Sequence, residues 1–376
     1  MAKTLNIEPE FWHDGSNWIA QPAPCEEGDA LAEFALGELQ AKGWCFFQTS
    51  GSEGRRKWVG LTKESLLISA RAVNAHFDIS QNDHWLLALP VHHVGGFGVL
   101  ARAFLSGGKV TRLTEKWDAS RFARTCTEAG ATLASLVPTQ VFDLVAAKLD
   151  APKSMRVVLV GGGALSPEIE SAALSLGWPV RRTYGMTETA SQVASQRTEG
   201  GEMEVLPIWQ VSTDEAGVLT VRGEALARGY AVQEAGNWRW EPVYGDAGLR
   251  TRDRVEIWQA GGGQCLRFTS REAGIVKILG ELVALGPIQA RLDALRLDMG
   301  LHTGEAVVCD LPDPRKEARL VLAASRMSEP DAFQLQNRLN EGLRPFEQVM
   351  VLKMIPSLPR GELGKVQFAQ LRTVLG

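Results

Sequence analysis

At 376 residues, 45% of them hydrophobic and 22% charged, the chain is longer than one ordinary core fills, so two or three globular domains are expected. Its net charge of −4 argues against general binding to nucleic acid, which needs a basic surface. No apolar run approaches the roughly 20 residues that span a bilayer, and the opening Met-Ala-Lys-Thr-Leu-Asn-Ile-Glu lacks the apolar core of a secretory leader.

The five cysteines (25, 45, 126, 265 and 309) form no CxxC pair, which points to reduced thiols in a cytoplasm and to no structural metal site. Residues 26–39 carry the helical spacing Leu31, Phe34, Ala35, Leu39. An apolar run, Trp44 to Phe47, then leads into Gln-Thr-Ser-Gly-Ser-Glu-Gly-Arg-Arg-Lys-Trp-Val at 48–59. Glycines and hydroxyls held behind a buried strand can offer several N–H and O–H groups to one polyanion, with Arg55, Arg56 and Lys57 supplying countercharge. Neither G-x-x-x-x-G-K-[ST] nor G-x-G-x-x-G is met, and a solvated basic turn stands as the alternative.

Beyond this loop the elements alternate. Thr62 caps a helix with Leu66, Ala70 and Val73 on one face. A strand at 85–91 runs into Pro-Val-His-His-Val-Gly-Gly, followed by a helix to Leu105 and a strand at 109–113. Asp118 caps a helix that Gly130 closes, residues 131–137 form a strand, and Pro138 opens another helix. The strand at 156–160 ends in Gly161-Gly162-Gly163-Ala164, either a bare-backbone surface for a flat ligand or a plain strand-to-helix turn. This rhythm predicts a mostly parallel sheet covered by helices, with ligands at the carboxyl ends of its strands. The strand at 179–183 enters Tyr184-Gly185-Met186-Thr187-Glu188-Thr189-Ala190-Ser191-Gln192, where a carboxylate among hydroxyls suits Mg²⁺, unless Thr187 merely caps a helix. From 205 to 268 short β-like runs and glycine turns suggest a small antiparallel barrel or sheet, with Asp246 in a glycine turn able to accept two bonds from a ribose diol. From Arg271 a compact α+β unit follows, its last loop Leu358-Pro-Arg-Gly-Glu-Leu-Gly-Lys365-Val.

In order, these segments read Thr-Ser-Gly-Ser-x-Gly-x-x-Lys, Leu-Pro-x-x-His-x-x-Gly, Gly-Gly-Gly-Ala, Tyr-Gly-Met-Thr-Glu, Gly-Asp, Ser-Arg-x-x-x-x-x-Lys and Pro-Arg-Gly-x-x-Gly-Lys. The series resembles the AMP-forming acyl-CoA synthetase, adenylation-domain and luciferase superfamily over residues 46–366, and within it most resembles the o-succinylbenzoate–CoA ligases of menaquinone or phylloquinone synthesis. The resemblance implies an α/β fold: a large N-terminal α/β domain (1–270) with mostly parallel sheets and a barrel-like part, then a small mobile α+β lid (271–376). It implies ATP, Mg²⁺ and CoA as cofactors and a small carboxylate as substrate, and it leaves a homodimer open. An acyl-adenylate and pyrophosphate would form first, and the CoA thiol would then displace AMP.

Carried onto this chain, the resemblance implies that Thr49, Ser50, Gly51, Ser52, Gly54 and Lys57 hold the β- and γ-phosphates. Gly162, Gly163 and Ala164 flank the adenine or acyl pocket, and Tyr184 with Gly185 packs on the base. Thr187 touches the α-phosphate, Glu188 holds the metal, Asp246 and Arg271 bind the ribose, and Lys365 bridges the attacking carboxylate and the α-phosphate. His93 lines the acyl pocket, with Gly95, Gly96, Ser191, Gln192 and nearby arginines as candidates for a second substrate carboxylate. The pattern also departs from the family. Glu53 stands where Thr or Ser is usual, Arg56 replaces Pro, Trp58 replaces Gly, and 270–273 lacks the leading Gly and hinge Asp. The phosphate loop lies near the start of the chain, so much of the usual N-terminal subdomain is expected to be missing. Ligases for other aryl or fatty acids, enzymes that load a carrier protein, and a nucleotide-binding pseudoenzyme are the rival readings.

Overall fold

The computed structural model describes residues 9–21, 23, 25–50, 56–234, 236–243, 248–271, 274–361 and 364–376. The chain divides into two units. The first comprises Met1–Val137, Asp150–Gly162 and Gly177–Thr269, and the second comprises Pro138–Leu149, Gly163–Leu176 and Ser270–Gly376.

The first unit is built on an eleven-stranded sheet. Five strands run parallel at one side, in the order Lys109–Arg112, His84–Leu87, Leu133–Leu136, Val157–Val160, Val180–Tyr184. The middle strands, Leu133–Leu136 and Val157–Val160, are buried at every position, as strands covered on both faces must be. The helices between strands begin and end where the sequence places their caps. The Thr62 hydroxyl accepts the Ser65 N–H at 3.0 Å, and the Asp118 carboxylate accepts the Arg121 N–H at 2.7 Å. Gly130, at φ 61°, closes the Ala119–Ala129 helix. The strand expected at 85–91 stops at Leu87, leaving Pro90 to His93 free to form a turn into the helix Val94–Ser106.

The expected barrel-like part is corrected by the structure: no closed barrel forms among the described residues. Strands between 203 and 271 extend two open sheets instead. Met203–Val205 and Ala194–Gln196 continue the large sheet in antiparallel sense from Val180–Tyr184. Gly229–Glu234 and Asn237–Pro242 add to a second, five-stranded sheet by pairing with Arg56–Thr62. Each new strand meets an edge already extended by its neighbour, so neither sheet curls back upon itself.

In the second unit a three-stranded sheet, Glu305–Asp313, Glu317–Ser325 and Val349–Met354, separates two small cores. Alternation decides which side chain goes where. Ala306 and Val308 face the helices Leu285–Asp298 and Glu329–Asn340, whereas Val307 and Cys309 face the helix Phe368–Leu375.

At the amino end of the parallel strands, Asp83, Thr132 and Arg156 each immediately precede a strand and meet. The Asp83 carboxylate accepts Arg156 Nε at 2.7 Å and Nη2 at 2.8 Å, Thr132 Oγ1 at 2.8 Å and the Ser80 N–H at 2.9 Å. Burial would push the Asp83 carboxyl up, but these donors outweigh it and hold it below the ordinary aspartate value. Asp83→Asn should cost about 1–2 kcal/mol, because the buried carboxylate loses its charge-assisted bonds while the half-exposed Arg156 can recover water. A group with a lowered folded pKa contributes stability above its unfolded pKa and loses it as the pH falls through the folded one. The gap between variant and wild type in urea titrations should therefore be full at neutral pH and close below about pH 4.

Candidate functional site

Parallel strands deliver their following loops to one edge of the sheet. The loops after Leu87, Val160 and Tyr184 carry His93, Gly162 and Glu188. The glycine loop approaches differently from expectation. Trp44–Ser50 is followed by a second strand, Arg56–Thr62, before the helix, so the loop is the tip of an antiparallel hairpin with Thr49 opposite Lys57. Gly51, Ser52 and Gly54 lie outside the described residues, as does the side chain of Ser50. The Thr49 hydroxyl donates to the Lys57 carbonyl at 3.4 Å. The Lys57 ammonium lies 5.0 Å from the centroid of the Tyr230 ring and 3.9 Å from Glu241 Oε2.

The loop after Val180–Tyr184 is held rigidly. Thr187–Thr189 forms a single 3₁₀ turn with Met186, not Thr187, at its cap, and the Thr189 hydroxyl accepts the Met186 N–H at 3.1 Å. The chain then turns through positive φ at Ala190 (50°) and Ser191 (102°). Ser69 Oγ donates to the Ala190 carbonyl at 2.9 Å, and Trp209 Nε1 donates to the Gln192 carbonyl at 2.8 Å. Gly185 has a structural reason to lack a side chain, since a Cβ there would strike the Ser191 carbonyl. The same holds at Gly96, where a Cβ would strike the carbonyl of Pro90. Glu188 is anchored by its own carbonyl, which accepts the Ala227 N–H at 2.8 Å, and its Oε1 accepts the Tyr230 hydroxyl at 2.9 Å. Burial first, and then the Glu188 charge, push the Tyr230 phenol above its ordinary range, so it remains a donor at any working pH. Among the described residues no group of three or more His, Cys, Asp or Glu side chains is placed to hold a metal. One carboxylate flanked by Thr187 and Thr189 nevertheless fits magnesium, which keeps several waters and takes its other ligands from phosphates.

Two residues missed in the sequence stand out here. Tyr184, whose ring stacks 6.2 Å from Phe268, donates its hydroxyl at 2.8 Å to Asp253, a carboxylate only 3% exposed. Asp253 lies on the strand Leu249–Ala260; Asp246 lies outside the described residues. The second is Arg102. It is 2% exposed on the helix Val94–Ser106, and it donates Nη2 to the Ser191 hydroxyl at 3.3 Å. Its Nε has no acceptor, and among the described residues no carboxylate pairs with it. Burial alone lowers its pKa to about 10. Gln192, next in the chain after Ser191, is also buried, with its Oε1 unbonded. His93 caps the same helix and tilts against His92, their ring centroids 4.6 Å apart, and Gly95 opens its first turn. A lone cation within the run Val-Gly-Gly-Phe-Gly-Val-Leu-Ala-Arg-Ala-Phe-Leu was the signal for Arg102: a helix apolar on all sides buries whatever charge it carries.

In the second unit the lysine loop is a braced turn. Arg360 bridges to Val366, and the Gly361 N–H donates to the Lys365 carbonyl at 2.8 Å. Arg360 Nε donates to Glu305 Oε1 at 3.0 Å, while Glu305 Oε2 accepts Ser325 Oγ at 3.0 Å. Lys365 keeps accessible surface at the tip, yet lost hydration, and then the Arg271 charge, lowers its pKa from the usual lysine value. Arg271 is exposed at the end of the strand Gly263–Arg271. Gly162 (φ 77°) and Gly163 are exposed, as is Ala164.

The strand Arg56–Thr62 thus packs beside the acidic 3₁₀ turn that follows the parallel strand Val180–Tyr184. Residues 41–231 match the family model described as AMP-binding enzyme, and the chain belongs to that family. A 2-succinylbenzoate–CoA ligase of Bacillus cereus is 31% identical over 218 residues, 55% of this chain and 44% of the relative. One from Bacillus pumilus is 24% identical over 343 residues, 86% of this chain and 68% of the relative. The chain thus spans less than half the length of the first of these curated relatives. Among solved structures, the o-succinylbenzoate CoA synthetase of Bacillus subtilis with its acyl-adenylate intermediate superposes with a TM-score of 0.72 at 23% identity, over 87% of this chain and 68% of that one. ATP-bound MatB of Rhodopseudomonas palustris gives 0.72 at 23% identity, over 88% and 67%. At such identity these structures establish the fold alone, a mixed α/β one with a large sheet-based part and a smaller C-terminal one.

A buried guanidinium with one hydroxyl contact and no counterion is a stability cost, and an apolar replacement of similar length removes it. Arg102→Met is expected to stabilise the first unit by about 1–3 kcal/mol, read as a raised denaturation midpoint with an unchanged urea slope.

Proposed function

We propose that the protein is an ATP-dependent acid–thiol ligase, which joins a small carboxylate to AMP and then passes the acyl group to CoA. O-succinylbenzoate is the acid we favour, which places the enzyme in menaquinone or phylloquinone synthesis. The observation that carries this choice is Arg102. A desolvated cation contacting the loop that follows Glu188 suits a substrate that brings a second carboxylate with it. The sequence relatives are 2-succinylbenzoate–CoA ligases, which supports the same acid. Four of the five cysteines are buried and all are free thiols, in keeping with a reducing cytoplasm, and no described helix is long and apolar enough to cross a membrane.

In this reading the hairpin tip, residues 49–54 with Lys57, holds the β- and γ-phosphates through N–H, O–H and ammonium donors. The ring of Tyr184, its hydroxyl held by Asp253, supports the base, and Asp246 and Arg271 take the ribose hydroxyls. Thr187 bonds the α-phosphate, and Glu188 would hold magnesium. When bound, that ion neutralises phosphate charge and helps pyrophosphate leave. Gly162, Gly163 and Ala164 leave bare backbone beside the nucleotide or acyl group, and His93 with Gly95 walls the acyl pocket.

Lys365 supplies what the other groups do not. Bringing a carboxylate against a triphosphate costs several kcal/mol at an effective dielectric near 20. An ammonium between them removes that cost only in the reacting geometry, and so lowers the barrier. Carboxylate-dependent exchange of labelled pyrophosphate into ATP, with o-succinylbenzoate among a panel of aryl and alkyl acids, tests the first half-reaction. CoA-thioester formation tests the second. An absence of exchange with every acid would leave the family's fold without this activity.

Three outcomes follow from the residue roles. Arg102→Met should lose at least tenfold in exchange with o-succinylbenzoate while sparing a monocarboxylate analogue. Equal loss with both acids would remove Arg102 from the acyl pocket. Lys365→Ala should slow adenylation by roughly 10²–10³-fold and slow thioester formation from pre-made acyl-adenylate far less. Because Lys365 acts as the ammonium and its folded pKa lies below the usual lysine value, adenylation should fall on the alkaline side before an ordinary lysine would deprotonate. In Lys365→Arg the residual rate should lose that alkaline limb.

A further inference from the structure

We propose that Tyr230 is a positioning residue, which holds the Glu188 carboxylate by its hydroxyl and seats the Lys57 ammonium on its ring, so that acid and cation stay apart until nucleotide arrives. The proposal rests on the roles given above to Glu188 and Lys57. Sheet register explains why one residue reaches both. Tyr230 pairs with Val59 and Val232 with Lys57, so Lys57 and Tyr230 are diagonal neighbours on the same face of the sheet. That brings the ammonium to 5.0 Å from the ring centroid. From the other side, the Ala227 N–H fixes the Glu188 backbone just ahead of the strand Gly229–Glu234, and the Tyr230 hydroxyl reaches Oε1 at 2.9 Å.

The consequence is chemical. A lysine free to fold onto Glu188 would form an ion pair and compete with magnesium for the same oxygens. The ring gives Lys57 another seat, and Glu241 at 3.9 Å shares its charge. The hydroxyl occupies one Glu188 oxygen and fixes the orientation in which the carboxylate would meet a metal. Outer partners of metal-binding carboxylates typically alter metal affinity 10–100-fold when removed.

Two measurements test this: magnesium titration of ATP binding by calorimetry, and magnesium titration of pyrophosphate exchange. Tyr230→Phe keeps the ring and loses the hydroxyl. It should raise the magnesium needed for half-saturation about tenfold or more, while metal-free ATP binding stays within about twofold of wild type. Tyr230→Leu should weaken metal-free ATP binding several-fold as well, since Lys57 loses its seat. A Tyr230→Phe titration that overlays wild type overturns the proposal, and so does a Tyr230→Phe loss that is equal with and without magnesium. Glu188→Gln separates the causes. If it is impaired and Tyr230→Phe is not, only the tyrosine's role falls. If Glu188→Gln matches wild type, the metal role of Glu188 falls and the proposal with it.

Discussion

Five strands pointing the same way impose the arrangement on which the first unit's chemistry depends. Because Lys109–Arg112, His84–Leu87, Leu133–Leu136, Val157–Val160 and Val180–Tyr184 are parallel, every loop that leaves a carboxyl end opens at one edge of the sheet. The opposite edge is given to structure. There Asp83, Thr132 and Arg156 lock three strand starts together with charge-assisted bonds of 2.7–2.8 Å. One end of the sheet is satisfied internally, and the other presents polar groups with capacity to spare. That asymmetry, more than any single motif, separates scaffold from site.

Two arginines of the first unit's sheet region, the half-buried Arg156 and the buried Arg102, show the same division. Arg156 meets a carboxylate through two nitrogens and reaches the Phe77 carbonyl at 2.8 Å with a third. Arg102 has a single hydroxyl at 3.3 Å and the face of Trp85 at 5.8 Å. A fold selected only for stability has no use for the second kind, because desolvating a guanidinium without a counterion is costly. An anion that arrives with the substrate would return what burial takes away, and stability given up at a site is the usual mark of binding function.

What could be read from the sequence was what local chemistry decides. The caps at Thr62 and Asp118, and the closing Gly130, depend on residues within four positions of each other, and the chain follows them. The order of the glycine, hydroxyl and carboxylate loops was equally plain, since strand-to-helix punctuation sets them. Three features depended on distant partners and escaped. The strand Arg56–Thr62 is masked by its run of cations, and it is secured only by Trp44–Ser50 and Gly229–Glu234 on either side. Asp253 sits between Arg252 and Arg254 and reads as surface, whereas Asp246 sits in a glycine turn and reads as a site. Burial against Tyr184, fixed by strand packing sixty-nine positions away, brings Asp253 to the site as well. The supposed barrel failed for the same reason, since alternation and turns announce strands but not which edge each one joins.

The bracing of Lys365 follows from similar physics. In the role proposed for Lys365, a flexible loop would spend part of the attraction on ordering itself. Arg360 joins Glu305, and Glu305 is held in turn by Ser325 on the neighbouring strand, so the residues flanking the loop are fixed. Lowering the lysine's pKa through desolvation and the Arg271 charge works in the same direction. An ammonium held in partly dehydrated form binds an anion more strongly than a fully solvated one, and it gives up less water in doing so.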